Sequence, residues 1–546
     1  TLEEINTCLV GLRRSLASVL RTSLRRSLLP IACLAFATDA RVLQVGNVGE
    51  PGTFDPHHYT LRLEKTILND LFVGLATSNA EGNIVPGVAQ RWTASEDGLT
   101  WTFELRRDAT WSDGHPLTAH DFVFAFRRLL DPETDSGHAR SLYPIRNAKA
   151  VNAGGLAADA LGVLAATDHT LVIELARPFP SLAERLSYPS GYPLPVHVIE
   201  ERGEAWTEPG TMVSNGAFVL EDREPWSYVR LGKNAAFQDA DSVALEGVAY
   251  RSMRDSNAAY YQYRSGELDA IGDFPVGEIA WVRKHMPGHL RLSPMLSIVY
   301  LVFNVAAPPL GDVRLREALS IALDRQRIVR VSGSAAMASV SLVPPMVAGY
   351  ASALAVVEDR PARLERARRL LRDAGFGKEN PLTVTLCHVS GVESTRVNIA
   401  IAAMWQEIGV TTILDHEELE EHLADLRQGT FQVAQAGWFG EDHPEHYLDL
   451  LVSDAGGVNY GGFVSETYDT IMRRAQAEPL LPRRLDLLRD AEVVGLSDYP
   501  VAPLYAVTVR ALVNPRIEGW HDNPRNIHGT RYLRWKDDPG PDIPSE

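Results

Sequence analysis

The sequence is poor in cysteine: its 546 residues include three, Cys8, Cys33 and Cys387. A disulfide framework or a thiolate zinc cluster needs spaced pairs of thiols in the folded part of a chain. Only Cys387 lies beyond the amino-terminal segment, so both classes of protein are excluded. The scarcity also suits export to an oxidising compartment, where a stray thiol is a liability.

Positive charge is in deficit as well. The chain has 53 lysines and arginines against 70 aspartates and glutamates, a formal net charge of −17. No block of basic residues stands out beyond the first thirty positions. Because neutralising phosphates requires a concentrated basic face, we expect no nucleic-acid partner.

An uncharged apolar run of about 20 residues, enough to cross a bilayer, is also missing. Three arginines between positions 21 and 26 precede a shorter apolar run, Leu28 to Ala37, that ends in small residues. This layout is typical of a secretory signal, so we expect residues 1–37 to be a leader and the chain to be exported. Two alternatives stay open, a lipid anchor on Cys33 and a soluble amphipathic helix.

The remaining chain alternates short strand-like runs with helical periods, which predicts an α/β fold. Its length predicts two or three lobes. Strands are predicted at Val42–Val45, Thr100–Leu105, Thr170–Leu175, Leu382–Leu386, Val410–Leu414 and Phe431–Ala436. Helices are predicted from the capping box of Thr118 and Asp121 to Leu130, after Asp312 through Leu323, up to Ala374–Gly375, and from about Ser394 to Ile408.

Several motifs follow one another along this α/β pattern. They are EPGTFDPH at 50–57, PGVA at 86–89, WTFELR at 101–106, WSDGHPLTAHDF at 111–122, SNGAF at 214–218, YRSGELD at 263–269, DVRLR at 312–316, ALDR at 322–325, GTF at 429–431 and GW at 437–438. Together they resemble the dipeptide/oligopeptide-binding class of periplasmic solute-binding proteins that serve ABC importers, solute-binding protein family 5. The resemblance spans roughly residues 42–535. The motif aromatics Trp101, Phe103, Trp111 and Phe122 have the spacing of core residues, so we predict that they form the scaffold.

The resemblance implies a two-lobed clamp of the type II-like periplasmic-binding-protein kind, with an extra domain inserted in the first lobe. The first lobe would comprise residues 38–72, 196–297 and 509–546, the inserted domain 73–195, and the second lobe 298–508. Ligand would be held between lobes that close about a hinge. It further implies a periplasmic monomer that catalyses nothing, holds no cofactor and delivers its ligand to a membrane ABC permease.

The resemblance also implies where a peptide amine would bind. In oligopeptide-binding relatives, an aspartate three positions after a cleft tryptophan meets the ammonium group of the ligand. Here Trp438, which follows Gly437, precedes Glu441 by three positions, and Asp442 is the substitute. Desolvating an ammonium costs several kcal/mol in order of magnitude unless an anion meets it. A pair of surface loop acids is the alternative.

At the carboxylate end the sequence departs from the family pattern. Relatives carry a lysine at the position of Ala307 and arginines near Leu426 and Gln435. Weaker candidates for ligand contact are Arg62, His138, Tyr261, Arg427 and Tyr505. Of these, the two arginines could replace the missing cations. The ligand is therefore expected to be a peptide, a modified or peptide-like molecule, or a metal chelate.

A rival hypothesis is an exported metal- or metal-chelate-binding protein, or a metallohydrolase, that uses the loop 441–446. This loop offers mixed nitrogen and oxygen donors from Glu441, Asp442, His443, Glu445 and His446. The segment 416–422 has its two histidines six positions apart, not the four that place both on one helical face. We therefore predict that it is a solvated acidic helix. The sequence contains no G-x-S-x-G nucleophile motif.

Overall fold

The computed structural model describes residues 42–355, 358–455 and 457–536. The leader predicted at residues 1–37 lies outside the described residues. Among the helices of the described part, none combines the length and the apolar character needed to cross a bilayer.

The strands and helices, in chain order, have the following bounds. The strands are β1 (Leu43–Val48), β2 (Ala76–Ser78), β3 (Ile84–Pro86), β4 (Ala89–Ala94), β5 (Thr100–Leu105), β6 (Val163–Thr167), β7 (Thr170–Glu174), β8 (Phe218–Glu224), β9 (Tyr228–Lys233), β10 (Gly247–Met253), β11 (Ala270–Ile271), β12 (Leu290–Pro294), β13 (Ser297–Phe303), β14 (Met337–Ala338), β15 (Thr383–Val389), β16 (Thr411–Glu417), β17 (Val433–Phe439), β18 (Val501–Ala506), β19 (Thr508–Val513), β20 (Ile517–Glu518) and β21 (Arg534–Trp535). The helices are α1 (Arg62–Leu71), α2 (Ala119–Leu130), α3 (Ala148–Asn152), α4 (Leu182–Arg185), α5 (Val196–Arg202), α6 (Ser256–Ser265), α7 (Ile279–His285), α8 (Val313–Ile321), α9 (Arg325–Ser332), α10 (Arg360–Asp373), α11 (Val392–Gln406), α12 (Leu419–Gln428), α13 (Glu445–Leu448), α14 (Glu466–Ala477) and α15 (Leu481–Ser497).

Three larger sheets organise these elements. A seven-stranded sheet has the order β12-β19-β11-β1-β10-β9-β8, a six-stranded sheet the order β14-β18-β13-β17-β15-β16, and a four-stranded sheet the order β4-β5-β7-β6. Parallel and antiparallel pairs occur together in the first two sheets. The predicted α/β fold class is confirmed.

The chain passes between the seven-stranded and six-stranded sheets at two neighbouring places. One is the step from β12 to β13, and the other is the step from β18 to β19. The backbone N–H of Met295 donates to the carbonyl of Val507 at 2.9 Å. The N–H of Val507 donates to the hydroxyl of Ser297 at 3.2 Å. The two crossing segments therefore lie side by side.

The hydrophobic cores follow the pleat of the strands. Along β13, Leu301 and Phe303 belong to a core on one face of the six-stranded sheet, and Tyr300 and Val302 to a core on the other face. A single continuous core lies beneath both the seven-stranded and the four-stranded sheets, and it contains residues from both.

Local sequence signals located several elements correctly. Thr118 caps α2, and its N–H donates to the Asp121 carboxylate at 2.7 Å, as the capping box predicted. The four motif aromatics, Trp101, Phe103, Trp111 and Phe122, are all buried. Helix α8 ends at Ile321, before Leu323, because the side chain of Asp324 caps the next helix.

The prediction of a solvated acidic helix at 416–422 was wrong. Strand β16 extends to Glu417, and helix α12 begins at Leu419. Both Glu417 and His422 are buried, with 2.7 Å between Oε2 and Nδ1. The other ring nitrogen of His422 lies 2.8 Å from the carbonyl oxygen of Gln435, so the imidazole fastens α12 to the sheet.

Candidate functional site

A cavity of about 780 Å³ lies between residues 137–190 on one side and residues 438–476 on the other, with Tyr59 at its wall. Its charged lining has both signs in equal number. The cations are Arg140, Lys149, Arg177 and Arg185, and the acids are Glu441, Glu445, Asp449 and Asp454. The cavity wall therefore presents charged groups of both signs, several of them paired with one another.

Strand β17 brings Trp438 to this cavity, and the turn that follows brings Glu441. The N–H of Gly440 donates to the carbonyl of Leu296 at 2.9 Å, which holds the turn against β13. A Cβ at Gly440 would lie 2.6 Å from the Oη of Tyr447, whose side chain is fully buried. Glycine therefore lets the chain pass close over this ring and sets the position of Glu441.

Glu441 forms an ion pair with Arg185, which stands at the end of α4. The Nε of Arg185 lies 2.7 Å from Oε1, and its Nη2 donates to Oε2 at 2.9 Å. Both side chains are 12% exposed. Burial raises the pKa of the Glu441 carboxyl, but the cations around it, Arg185 foremost, lower it further, and the pKa lies below its ordinary value.

A lysine close to this pair is affected by the same environment. The Nζ of Lys65 lies 4.0 Å from the ring centroid of Tyr188, another residue of the cavity wall. Burial lowers the pKa of Lys65 to about 8, although the charge of Glu441 acts to raise it. Lys65 therefore still carries its charge at pH 7, next to the pair of Glu441 and Arg185.

Asp442 does not line the cavity. Its Oδ1 accepts from the N–H of Ala348 at 2.6 Å, and its Oδ2 accepts from Arg525 at 3.3 Å. Its own N–H donates to Glu184 at 2.9 Å, and Glu184 is in turn paired with Arg525. The two neighbouring acids thus face different partners, and Glu441 alone reaches the cavity.

A second group of buried charges also lies at the cavity wall. Glu445 accepts from Arg177 at 2.8 Å and also pairs with Arg484, which is fully buried. Burial acts to raise the pKa of Glu445, but Arg484 and Arg177 outweigh it and hold the pKa at about 2. Burial, together with the charge of Glu445, raises the pKa of Asp449 to about 7.

These pairs argue against the metal hypothesis for the loop 441–446. Glu441, Asp442 and Glu445 each face an arginine. Within the described ranges, three potential metal ligands converge at two places, and neither includes this loop. The physical reason is that a guanidinium occupies the position beside each carboxylate that a cation would need.

Apart from the Nε of Arg185, which lies beside Glu441, three buried polar atoms on residues of the cavity wall have no hydrogen-bond partner within the described protein. They are the Oγ of Ser141, the Nε1 of Trp438 and the Nε2 of His443. A buried polar atom without a partner costs about 1–3 kcal/mol, so the fold carries this cost at three places beside the cavity.

His138 also lines the cavity. Its ring stacks on Tyr59 at 4.0 Å between centroids, and its Nε2 lies 2.6 Å from the carbonyl oxygen of Tyr59. The structure therefore brings three of the sequence-predicted residues together in one cavity, namely His138, Trp438 and Glu441.

The other predicted contacts lie elsewhere. Gly437 is exposed on β17, and Arg427 is exposed on α12. Tyr261 is exposed on α6, and Tyr505 is buried in a core of the six-stranded sheet. The Nη2 of Arg62 donates to the carbonyl of Gly272 at 3.2 Å. None of these five lines the cavity.

Sequence reasoning missed the residues opposite β17. Arg177 and Arg185 fall in or beside the proline-rich stretch 178–195, which reads as a crossing between lobes. No local pattern marks them, because their partners lie 268 and 256 residues further along the chain.

A concave cavity on which charged and polar side chains converge, set between segments of an α/β fold, fits a binding site for a small molecule. The chain belongs to the bacterial extracellular solute-binding proteins, family 5, whose family model, described as the middle region, matches residues 83–459. This is a family of binding proteins rather than of enzymes.

Among similar proteins is the periplasmic murein peptide-binding protein MppA of Escherichia coli K12, 32% identical over 492 residues, or 89% of this chain and 91% of that protein. The probable deoxycholate-binding periplasmic protein YgiS of the same strain is 33% identical over 500 residues, 90% of this chain and 93% of that protein. The solved structure of the Escherichia coli murein tripeptide binding protein MppA has a TM-score of 0.78 and 31% identity, and the match covers 91% of this chain and 99% of that one.

Proposed function

We propose that this chain captures peptides in the cavity between residues 137–190 and 438–476, in the periplasm, and delivers them to an ABC importer. The observation that carries the proposal is the ion pair of Glu441 and Arg185 inside a cavity of balanced charge. The relation to a murein peptide-binding protein supports the same class of ligand. The proposal includes the lobe bounds given above and closure of the lobes on the guest.

A ligand ammonium would bind Glu441 in place of Arg185. The freed guanidinium would then stand beside Arg177, where both can meet a ligand carboxylate. Charge-assisted hydrogen bonds of this kind are roughly twice as strong as neutral ones. The exchange keeps every buried charge paired, which limits the desolvation cost of binding.

The peptide backbone would add to the free side of β17. Strand β15 pairs with β17 only at Val433 and Ala434 among the described residues. Beyond Ala434, the edge of β17 that faces away from β13 leads towards Trp438 and the cavity. An extended peptide can hydrogen-bond to such an edge through its main chain, largely independently of its sequence.

A bile acid is the second candidate ligand, because YgiS is named for deoxycholate and is as similar to this chain as MppA is. A bile acid carries an anion and an apolar body but no ammonium group. Its carboxylate would bind the cavity arginines and leave Glu441 without a role in affinity. The two ligand classes therefore differ in their dependence on Glu441.

A thermal-shift screen of di- to pentapeptides and deoxycholate identifies the ligand, and calorimetry then compares variants. Glu441→Gln should weaken the best free-amine peptide at least about tenfold and leave its N-acetylated form nearly unchanged. Asp442→Asn is the matched control, because this neighbouring acid does not line the cavity. Equal losses for the free and acetylated peptides, or binding of deoxycholate without any peptide, would remove the proposal.

A further inference from the structure

A second cluster of chemically active side chains lies apart from the cavity. The Nε2 of His197 lies 2.7 Å from the Oδ2 of Asp113, and the Nδ1 of His115 lies 3.1 Å from the same oxygen. The two imidazole rings stack at 4.1 Å between centroids. One ligand atom from each residue lies within 4.8 Å of the others, and none of the three residues lines the cavity.

The turn that carries Asp113 and His115 is held rigidly. The N–H of Trp111 donates to the carbonyl of His115 at 2.8 Å, and the N–H of Gly114 donates to the carbonyl of Trp111 at 2.9 Å. Gly114 has a φ of 89°, which an L side chain rarely adopts. The Trp111 side chain is fully buried and anchors the turn.

The Asp113 carboxylate is oriented by this turn. Its Oδ1 accepts from the N–H of His115 at 3.1 Å, which leaves Oδ2 directed at both imidazoles. His197 is the second residue of α5, where Val198 beside it is buried. The three side chains therefore already converge in the structure without an ion, which reduces the ordering cost of binding.

Two imidazole nitrogens and one carboxylate oxygen form a donor set that suits Zn²⁺, Ni²⁺ and Cu²⁺. Calcium and magnesium prefer oxygen ligands throughout. The carboxylate of Asp121 lies close enough to His197 for their charges to interact, which further favours a cation. Because the cluster is at the surface, water can complete the coordination.

We propose that Asp113, His115 and His197 form a binding site for a divalent transition-metal ion, Zn²⁺ in the first instance. The ion joins the turn at 111–115 to the start of α5, two segments that lie 84 residues apart in sequence. The site is independent of the peptide cavity and does not rest on the proposed function.

The test uses the full chain without a histidine tag, stripped with EDTA and titrated with ZnCl₂ in a calorimeter. One site per chain is expected. His115→Asn and His197→Asn should each weaken it at least about tenfold, since changes even to the outer partners of metal ligands typically cost 10–100-fold. Acidification should also weaken it, because protons compete for the imidazoles.

The matched control is His120→Gln. His120 pairs with Asp168 at 3.6 Å on the same surface, but this pair does not belong to a three-ligand cluster among the described residues. This variant should bind Zn²⁺ as the unaltered chain does. Thermal melts in EDTA check that each variant is folded, and the absorption spectrum of bound Co²⁺ reports directly on histidine ligation.

One weak affinity shared by the unaltered chain, His115→Asn and His120→Gln would be adventitious binding by surface histidines, and it would overturn the proposal. A calorimetric titration with ZnCl₂ that is unchanged by His197→Asn would also overturn the proposal. Loss of the site in the His115 and His197 variants alone would establish it.

Discussion

Arg185 holds Glu441 through two contacts, 2.7 Å from Nε to Oε1 and 2.9 Å from Nη2 to Oε2, inside the cavity that a guest would enter. The carboxylate best placed to receive a ligand amine is therefore already neutralised by the protein's own guanidinium. On the proposed function, binding at this position would be an exchange of cations rather than the filling of a free anionic site.

We expect strong energetic coupling between these two side chains. Arg185→Gln and Glu441→Gln should each lower the free energy of unfolding by about 3 kcal/mol, because each leaves a buried charge unpaired. The double variant should lose less than the sum, with a coupling energy of about 1–3 kcal/mol in urea unfolding. The exposed pair of Arg473 and Glu466 is the control, with coupling below about 1 kcal/mol. Additive losses at 185 and 441 would contradict this account.

A methyl group at Gly440 should disturb the turn that carries Glu441. Gly440→Ala brings a Cβ against the buried ring of Tyr447 and should cost about 1–3 kcal/mol of stability, with a matching loss of ligand affinity. Gly437→Ala on the preceding strand β17 is the control, because a Cβ there has nothing within 4 Å. The free energies of unfolding of the two variants are compared by denaturant melts. Equal stabilities would show that the Tyr447 ring can move to accommodate the methyl group without loss of stability.

Replacing the buried Arg484 should be far more harmful than replacing a surface arginine. Arg484→Met removes the guanidinium that pairs with Glu445, and we expect a loss of about 3–5 kcal/mol in the free energy of unfolding. Arg91→Met removes a partner of Glu104 at an exposed position and should change stability by less than about 1 kcal/mol. A mild effect at 484 would mean that Arg177 alone satisfies Glu445.

Asp449 should make stability depend on pH. Burial raises the pKa of its carboxyl to about 7 in the folded chain, whereas an unfolded aspartate titrates near 3.9. Between about pH 4 and pH 7 the folded state thus holds a proton that the unfolded state has lost. The contribution of Asp449 to the free energy of unfolding therefore falls as pH rises through this window, by up to about 1.4 kcal/mol per pH unit. Burial lowers the pKa values of His57, His443 and His528 to about 3, 4 and 4, so these imidazoles contribute the opposite slope below about pH 6.5.

Asp449→Asn should remove that contribution, so its stability relative to the unaltered chain should increase from pH 4 to pH 8, measured as the urea midpoints of both chains. Asp486→Asn, at an exposed position, should keep that contribution. The opposite contribution of Glu445, whose pKa is about 2, is complete by about pH 4.3, near the lower limit of the window. If Asp449→Asn leaves the dependence of stability on pH unchanged, the proton that the folded state retains between about pH 4 and pH 7 is bound by another group.

Local signals explain why the fold could be predicted in outline. Alternation gave the bounds of Thr100–Leu105 as the structure has them, and the capping box gave the start of α2. The prediction of a solvated helix at 416–422 failed because the segment is rich in acidic residues, and this composition alone favours a solvent-exposed position. The contact of Glu417 with His422 depends instead on packing against β17, which the segment's own sequence does not show.

Of the two walls of the candidate site, the sequence predicted residues only on the wall formed by β17 and the turn after it. The spacing of Trp438 and Glu441 was visible in the sequence, and both residues line the cavity. The opposite wall, with Arg177 and Arg185, is fixed by tertiary contacts across more than 250 residues, for which one sequence carries no signal. Neighbouring Glu441 and Asp442 could not be told apart, because their partners are set by the turn at Gly440.

The continuous core shared by the seven-stranded and four-stranded sheets has a consequence for how the molecule is partitioned. Residues 73–195 form one stretch of sequence, but their apolar side chains are covered by strands from outside that stretch. Removing this segment from the chain would expose apolar surface on both fragments. We therefore expect residues 73–195 to unfold together with the strands that share their core, so the ends of this segment are not the limits of a cooperative folding unit.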